Sequence, residues 1–247
     1  MDPMAEKYYA MTPYGYCAGN PMNLIDIFGT NPIYSKDGKL LGTDNNGIQG
    51  YAIIMDKEKF IQGMSYDKAA SYDLGMAGLI DETALMSFLG SYLTLNQRPD
   101  WDGFITRKEG IRWAKEHPYA KECPSGQNTL YAATSNLDFG NIRISSDISQ
   151  LGSRVPVNLF NFGNTLKSVI NARLRNTVYG LGRIYLIPQD EKGTVRIDNE
   201  DESVYYDWNK GGDLIRTIAI SLERALNNLD DSHGFKVYYY GEGHLRE

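Results

Sequence analysis

Apolar residues recur at helical spacing in the middle of the first half of the chain. Asp81 and Glu82 precede a stripe at positions i, i+3, i+4, i+7 and i+8, which consists of Leu85, Phe88, Leu89, Tyr92 and Leu93. This spacing places side chains on one face of a helix, and an acidic pair ahead of it is typical of a helix start. The pattern predicts an amphipathic helix whose stripe packs against a core.

Two further helices are predicted on either side of this one. The segment from Ser65 to Leu74 contains two alanines and stops at Gly75, a residue that commonly ends helices. Thr106 is followed three residues later by Glu109, which is the spacing of a capping box. We expect this third helix to end before Pro118.

Elsewhere the apolar residues follow strand spacing. Residues 31–50 are dense in turn signals, which indicates a linker and a small hairpin, and the apolar run at 51–56 predicts a strand. In the second half, short apolar or alternating runs bounded by turn residues predict further strands. These strands are expected at 141–145, 178–188, 194–197, 203–208 and 235–240, with a short helix at 165–175 and an amphipathic helix at 213–227.

This order of elements predicts an α+β fold. An α-rich N-terminal lobe is expected over residues 31–140. A mainly antiparallel β-sheet lobe with one amphipathic helix is expected over 141–247. Residues 1–30 are set apart as a separate segment by the motif they carry.

Composition narrows the class of function. The 247 residues include 25 Lys and Arg against 31 Asp and Glu, a net charge of −6 without a long basic cluster, so a nucleic-acid partner is not favoured. No window approaches the ~18 apolar residues of a membrane span, and the N-terminus lacks the pattern of a signal peptide. Tyrosine supplies 18 of the aromatic residues, which fits either half-buried strand positions or a recognition surface.

The first thirty residues carry the most specific motif. It runs from an Asp-Pro pair at Asp2, through an aromatic-rich strand around Tyr14 and an Asn-Pro turn at Asn20, to Asp26 and Gly29. This segment resembles the end of an Rhs repeat-associated core. In that family two aspartates at the positions of Asp2 and Asp26 are implicated in self-cleavage, although here the proline that follows the second aspartate is replaced by isoleucine.

The resemblance implies what the rest of the chain is for. Residues that follow an Rhs core form a variable cargo domain, commonly a toxin deployed against competing bacteria. The implied partners are a cognate immunity protein and the rest of the Rhs shell. The implied location is secreted or at the cell surface, by way of the parent Rhs protein.

A metal site is one candidate within the cargo. Aligning Gly103 with the glycine of an EF-hand loop puts Asp100, Asp102 and Glu109 on liganding positions, so a divalent cation is a candidate cofactor. Position one of such a loop falls on Arg98, whose charge would oppose calcium. An Asx turn that leads into a capped helix explains the same residues without metal.

A second cluster lies at a predicted strand-to-helix junction and contains Tyr206, Asp207 and Arg216. A carboxylate beside an arginine and a tyrosine hydroxyl can orient a phosphate or polarise a leaving group. The stretch faintly resembles the activity domain of colicin M, which implies hydrolysis of a phosphorylated cell-envelope precursor. The alternatives are a β-hairpin with a surface ion pair and, for the whole chain, a non-catalytic surface, adhesion or binding module.

Overall fold

The structure is a computed structural model, and it contains both helices and sheets, which confirms the α+β class. The described residues are 31–119, 129–139, 151–159, 171, 183–200, 205–206, 221–222 and 224–245.

The first part of the described chain contains a three-stranded sheet. Strands β1 (Pro32–Ser35) and β2 (Leu40–Thr43) form an antiparallel hairpin, and β3 (Ile53–Met55) pairs with β1 in parallel, which gives the order β2-β1-β3. The predicted hairpin and strand are thus confirmed. Gly38 turns the hairpin at φ 76°, and a Cβ there would lie 2.1 Å from the carbonyl oxygen of Ala84. Only glycine lets the hairpin approach the next helix this closely.

Three α-helices follow, as predicted: α1 (Tyr66–Ser71), α2 (Glu82–Tyr92) and α3 (Arg107–Glu116). Asp81 caps α2, because its side chain accepts a 2.8 Å hydrogen bond from the Ala84 amide. Thr106 and Glu109 form the predicted capping box at the start of α3.

The helices cover the two faces of the sheet. Successive residues of a strand point to opposite faces: Ile33 packs in a cluster with Ala69 of α1, whereas Tyr34 packs with Phe88 of α2. The rings of Tyr34 and Phe88 meet edge to face at 4.9 Å. The predicted stripe of α2 is therefore buried or half-buried, except for Leu93, which lies about 80° from Leu85 around the helix and is exposed.

The C-terminal strands form two sheets. In the first, β4 (Thr129–Ala133) pairs in parallel with β9 (Phe235–Tyr240), and β8 (Tyr205–Tyr206) pairs with β9 antiparallel. The second is antiparallel throughout and has the order β10-β7-β6-β5; its strands are β5 (Val155–Asn158), β6 (Arg183–Pro188), β7 (Thr194–Ile197) and β10 (Gly243–His244).

One hydrophobic core joins these sheets to α3. It contains Trp113 and Ala114 of α3, Leu130 of β4, Ile184 of β6 and Val237 of β9, among others. Helix α3 and strand β4 precede residue 140, and yet they pack with strands from the end of the chain.

The outer face of β9 meets glycines in two loops from earlier in the chain. A Cβ at Gly63 would lie 1.8 Å from the hydroxyl of Tyr238, and one at Gly103 would lie 2.5 Å from the hydroxyl of Tyr240. Both glycines have positive φ, 75° and 70°. The tyrosines therefore fill spaces that any side chain at these positions would occupy, which favours the strand interpretation of the tyrosine content for these two residues.

Several predicted elements lie outside the described residues, namely the strand at 141–145, the helix at 165–175, the start of the strand at 178–188 and most of the helix at 213–227. Residues 221–222 and 224–227 of the last are helical. Strands β4, β5 and β10 were not predicted. Within the described ranges, no helix is both long and apolar enough to cross a membrane.

Candidate functional site

The predicted catalytic residues fall at the margin of the described structure. Tyr206 lies in β8, where it pairs with Phe235 of β9. Asp207 and Arg216 lie outside the described residues, so their grouping with Tyr206 stays a prediction. Asp198, in the acidic turn before this cluster, forms an ion pair with Arg154.

The three predicted metal ligands have other roles in the structure. Asp100 is fully buried and binds protein groups, Asp102 accepts a 2.9 Å hydrogen bond from the Phe104 amide, and Glu109 accepts one of 2.8 Å from the Thr106 amide. These last two contacts are the Asx turn and the capped helix that the sequence offers as the alternative. In the part of the chain that the structure describes, no group of three or more His, Cys, Asp or Glu side chains could hold a metal ion.

Arg98 and Asp100 form an ion pair that also makes hydrogen bonds to the backbone of β4. Nε and Nη2 of Arg98 each lie 2.9 Å from one carboxylate oxygen of Asp100, and Nη2 also donates a 2.7 Å hydrogen bond to the carbonyl oxygen of Thr129. Asp100 accepts a further 2.7 Å hydrogen bond from the Tyr131 amide. The pair therefore fixes the loop after α2 to strand β4.

Aromatic rings surround the guanidinium. Cζ of Arg98 lies 5.0 Å from the ring centre of Trp113 and 5.8 Å from that of Tyr131, within the range of cation–π attraction. Burial alone would lower the pKa of Arg98, but the charge and hydrogen bonds of Asp100 raise it on balance. Burial, with the charges of Asp100 and Asp102, raises the pKa of Tyr240 to about 12. At neutral pH Arg98 is therefore a fixed cation and Tyr240 is a neutral phenol.

A surface cavity of about 190 Å³ opens beside Arg98. One wall is the segment that follows α2 and the other is a face of α3; the lining residues are Thr94, Gln97, Arg98, Pro99, Arg112, Trp113 and Glu116. Trp113 is held in place by stacking on His117 at 3.8 Å. The charges around the cavity are two cations and one anion, with Asp100 behind Arg98.

Two side chains that line this cavity have an N–H group without an acceptor among the described residues. Within the described residues, the hydrogen bonds of Arg98 use Nε and Nη2 and leave Nη1 for another acceptor. Nε1 of Trp113 is buried and has no hydrogen-bond partner among the described residues, a state that costs about 1–3 kcal/mol. A carboxylate or phosphate oxygen would supply an acceptor for Nη1 of Arg98. The cavity is smaller than the ~300–1,000 Å³ of typical ligand pockets, so it suits one anionic group of a larger molecule.

The sequence alone does not reveal this cavity. In the sequence Arg98 is only a residue that disagrees with a calcium loop, whereas in the structure Arg98 neutralises Asp100. The feature of the sequence that could have indicated this ion pair is the opposite charges of Arg98 and Asp100 on either side of Pro99.

No protein-family model, curated protein or solved structure matches this chain. The function is therefore inferred from the residues themselves.

Proposed function

We propose that the chain is the C-terminal effector region of an Rhs-family protein, with a cargo domain that begins near Asn31. The observation that carries this proposal is the motif from Asp2 to Gly29, with its Asp-Pro pair, its tyrosine-rich strand pattern and its Asn-Pro turn. The first described strand begins at Pro32, immediately after this motif. A core-to-cargo junction requires a folded unit at that position.

The proposed reaction is hydrolysis of a phosphorylated cell-envelope precursor. Tyr206, Asp207 and Arg216 are the proposed catalytic residues. Support for this substrate class comes from the three residue types, since a carboxylate with an arginine and a tyrosine hydroxyl can orient a phosphate. A cognate immunity protein and the remainder of the Rhs shell are the proposed partners, and the parent protein would carry the domain to the cell surface or out of the cell.

The test is expression of the chain in bacteria, with and without an added periplasmic signal sequence, scored for growth arrest. We expect killing from the periplasm and not from the cytoplasm, and we expect Asp207→Ala to abolish it. Glu200→Ala is the matched control, since Glu200 is an exposed acid of the neighbouring turn, and it should stay toxic. A folded Asp207→Ala variant that kills as well as the parent would contradict the proposed reaction.

A non-catalytic surface, adhesion or binding module is the second candidate. It is supported by the 18 tyrosines, which are common at recognition surfaces. This candidate predicts no growth defect in either compartment. Killing from the cytoplasm alone would contradict the envelope target and point to nucleotide or nucleic-acid chemistry.

A further inference from the structure

The guanidinium group of Arg98 has hydrogen-bond donors that no described residue accepts. A guanidinium carries five N–H donors. Nε and Nη2 of Arg98 bond the two carboxylate oxygens of Asp100, and Nη2 also bonds the carbonyl oxygen of Thr129. These contacts use three of the five donors. Both N–H groups of Nη1 therefore lack an acceptor in the part of the chain that the structure describes.

The side chain that carries these donors is held in place. Because a guanidinium is planar and rigid, Nη1 points away from the Nε–Nη2 edge that faces Asp100. Cζ of Arg98 lies 5.0 Å from the ring centre of Trp113, and that ring is stacked on His117. Arg98 lines the cavity, although its side chain is only 14% exposed. An oxygen that enters the cavity would meet a cation that is already ordered, so little side-chain entropy would oppose the contact.

A second arginine lies on the opposite wall of the cavity. Arg112 belongs to α3, and its side chain is 61% exposed. Its ion pair with Glu116 is long, at 4.0 Å, and both partners are exposed, so the pair contributes little. Arg112 is thus able to turn toward a group in the cavity. Two guanidinium groups on facing walls suit the oxygen atoms of a carboxylate or phosphate.

The charges at the cavity favour a single anionic group over an extended polyanion. Asp100 offsets the charge of Arg98, and Glu116 offsets that of Arg112. Nucleic acids and anionic membranes are attracted by clusters of unpaired cations, which this cavity does not offer. One carboxylate or phosphate group can still gain short charge-assisted hydrogen bonds from Nη1. The expected affinity for such a group alone is weak.

We propose that this cavity binds one carboxylate or phosphate group of a larger molecule. Nη1 of Arg98 is the fixed donor, and the guanidinium of Arg112 is the movable one. The rest of the molecule lies outside, because about 190 Å³ is too small for a whole ligand of ordinary size. The site uses none of the residues Tyr206, Asp207 and Arg216, so it does not depend on the proposed reaction.

The probes are inorganic phosphate and acetate, each titrated into the full chain at constant ionic strength in exchange for chloride. Binding is followed by the backbone amide resonances of residues 94–98 and 112–116. We expect saturable shifts with millimolar dissociation constants for at least one of the two anions. Tighter binding of phosphate would identify a phosphorylated ligand, and tighter binding of acetate would identify a carboxylate ligand.

Three variants test the roles of the arginines. Arg98→Lys keeps a positive charge beside Asp100 but removes Nη1, and it should weaken binding about tenfold or more. Arg112→Gln should weaken binding about fivefold. The matched control is Arg196→Gln, because Arg196 is exposed on β7 and does not line the cavity; it should bind as the parent does. If Arg98→Lys does not fold, the exposed Arg112 decides the test.

Two results would overturn the proposal. One is the absence of saturable shifts at these residues, or equal affinity of the parent and Arg112→Gln. The other is loss of binding in Arg216→Gln, which would place the anion at the proposed catalytic cluster instead. Unchanged binding by Arg216→Gln, together with weaker binding by Arg112→Gln, would support the cavity even if the chain proves not to be toxic.

Discussion

The two carboxylate oxygens of Asp100 are each matched by one nitrogen of Arg98, both at 2.9 Å. Asp100 has no exposed surface, and the side chain of Arg98 is only 14% exposed. The pair is separated by a single residue in sequence, but it connects the segment after α2 with β4 through Thr129 and Tyr131. A local charge pair thereby fixes a contact between segments that are about thirty residues apart.

This relationship predicts that Asp100→Ala strongly destabilises the protein. The substitution leaves the charge of Arg98 buried without its partner and removes the acceptor of the Tyr131 amide, so we expect a loss of about 3–5 kcal/mol in the free energy of unfolding. The control is Arg112→Ala, which breaks the exposed pair with Glu116 at 4.0 Å and should cost at most about 1 kcal/mol. Urea denaturation measures both, and equal losses would contradict the structural role of Asp100.

A second prediction concerns the contact of Gly63 with Tyr238. An added methyl group at Gly63 would lie 1.8 Å from the Tyr238 hydroxyl at a φ of 75°, so Gly63→Ala should be destabilised by both the clash and the strained φ. Gly152→Ala is the control, because Gly152 has a φ of 76° and a Cβ there meets nothing within 4 Å; it should lose only about 1–2 kcal/mol.

The same contact can be tested by relief of the clash. Tyr238→Phe removes the nearest atom and should restore part of the stability of Gly63→Ala, with a coupling of about 1 kcal/mol in a double-mutant cycle. Additive losses in thermal denaturation would show that the two residues do not press against each other.

The elements that the sequence predicts well are those with local signals. Asp81 and the Thr106–Glu109 pair mark the helix starts where the structure has them, because a cap is an interaction between residues three positions apart. The strand at Phe235–Tyr240 alternates buried and half-buried residues along its length, and alternation is visible in the sequence alone.

The strands that sequence reasoning misses lack such a local signal. The residues of β4 are almost uniformly buried and do not alternate, and its partner β9 lies more than a hundred residues later, so only the tertiary fold specifies it. Strand β5 contains Pro156, which argues against a central strand; the structure accommodates it because β5 lies at the edge of its sheet.

The roles of the candidate site residues also depend in part on contacts that have no local signal in the sequence. The spacing of Asp100, Asp102 and Glu109 in the sequence is enough to single them out as candidate metal ligands. Asp102 and Glu109 form the Asx turn and the helix cap that the sequence offers as the alternative. The role of Asp100 is decided by the position of Arg98 and of the Tyr131 amide. The second of these partners belongs to a strand that the sequence does not predict, so the burial of Asp100 could not be foreseen.

A third prediction follows from Asp230 at the turn before β9. Hydrogen bonds of the Asp230 carboxylate with the side chains of Ser232 and His233, and with the Ser232 amide, lower the pKa of Asp230 to about 2. Because the pKa in the folded state lies below the ordinary value of 3.8, the carboxylate stabilises the fold above that value. This contribution is lost as the pH falls toward about 2.

We therefore expect the melting temperature of Asp230→Ala to lie below that of the parent at neutral pH. The difference should shrink between about pH 4 and pH 2. Glu191→Ala, which removes an exposed acid from another turn, should show little difference at any pH. A difference for Asp230→Ala that persists unchanged at the acid end would contradict the role assigned to its carboxylate.

The fourth prediction tests whether the cavity beside Arg98 binds an anion. Inorganic phosphate, titrated at constant ionic strength, should shift the indole N–H resonance of Trp113 in a saturable way, since Trp113 lines the cavity. Trp113→Phe assigns the resonance by its loss. The two charged residues of α3 at the cavity provide matched variants of opposite sign. Arg112→Gln should weaken phosphate binding and Glu116→Gln should strengthen it, each by about fivefold for an interaction of about 1 kcal/mol. Changes of the same sign in both variants, or a Trp113 resonance that does not move, would show that the cavity is not an anion site.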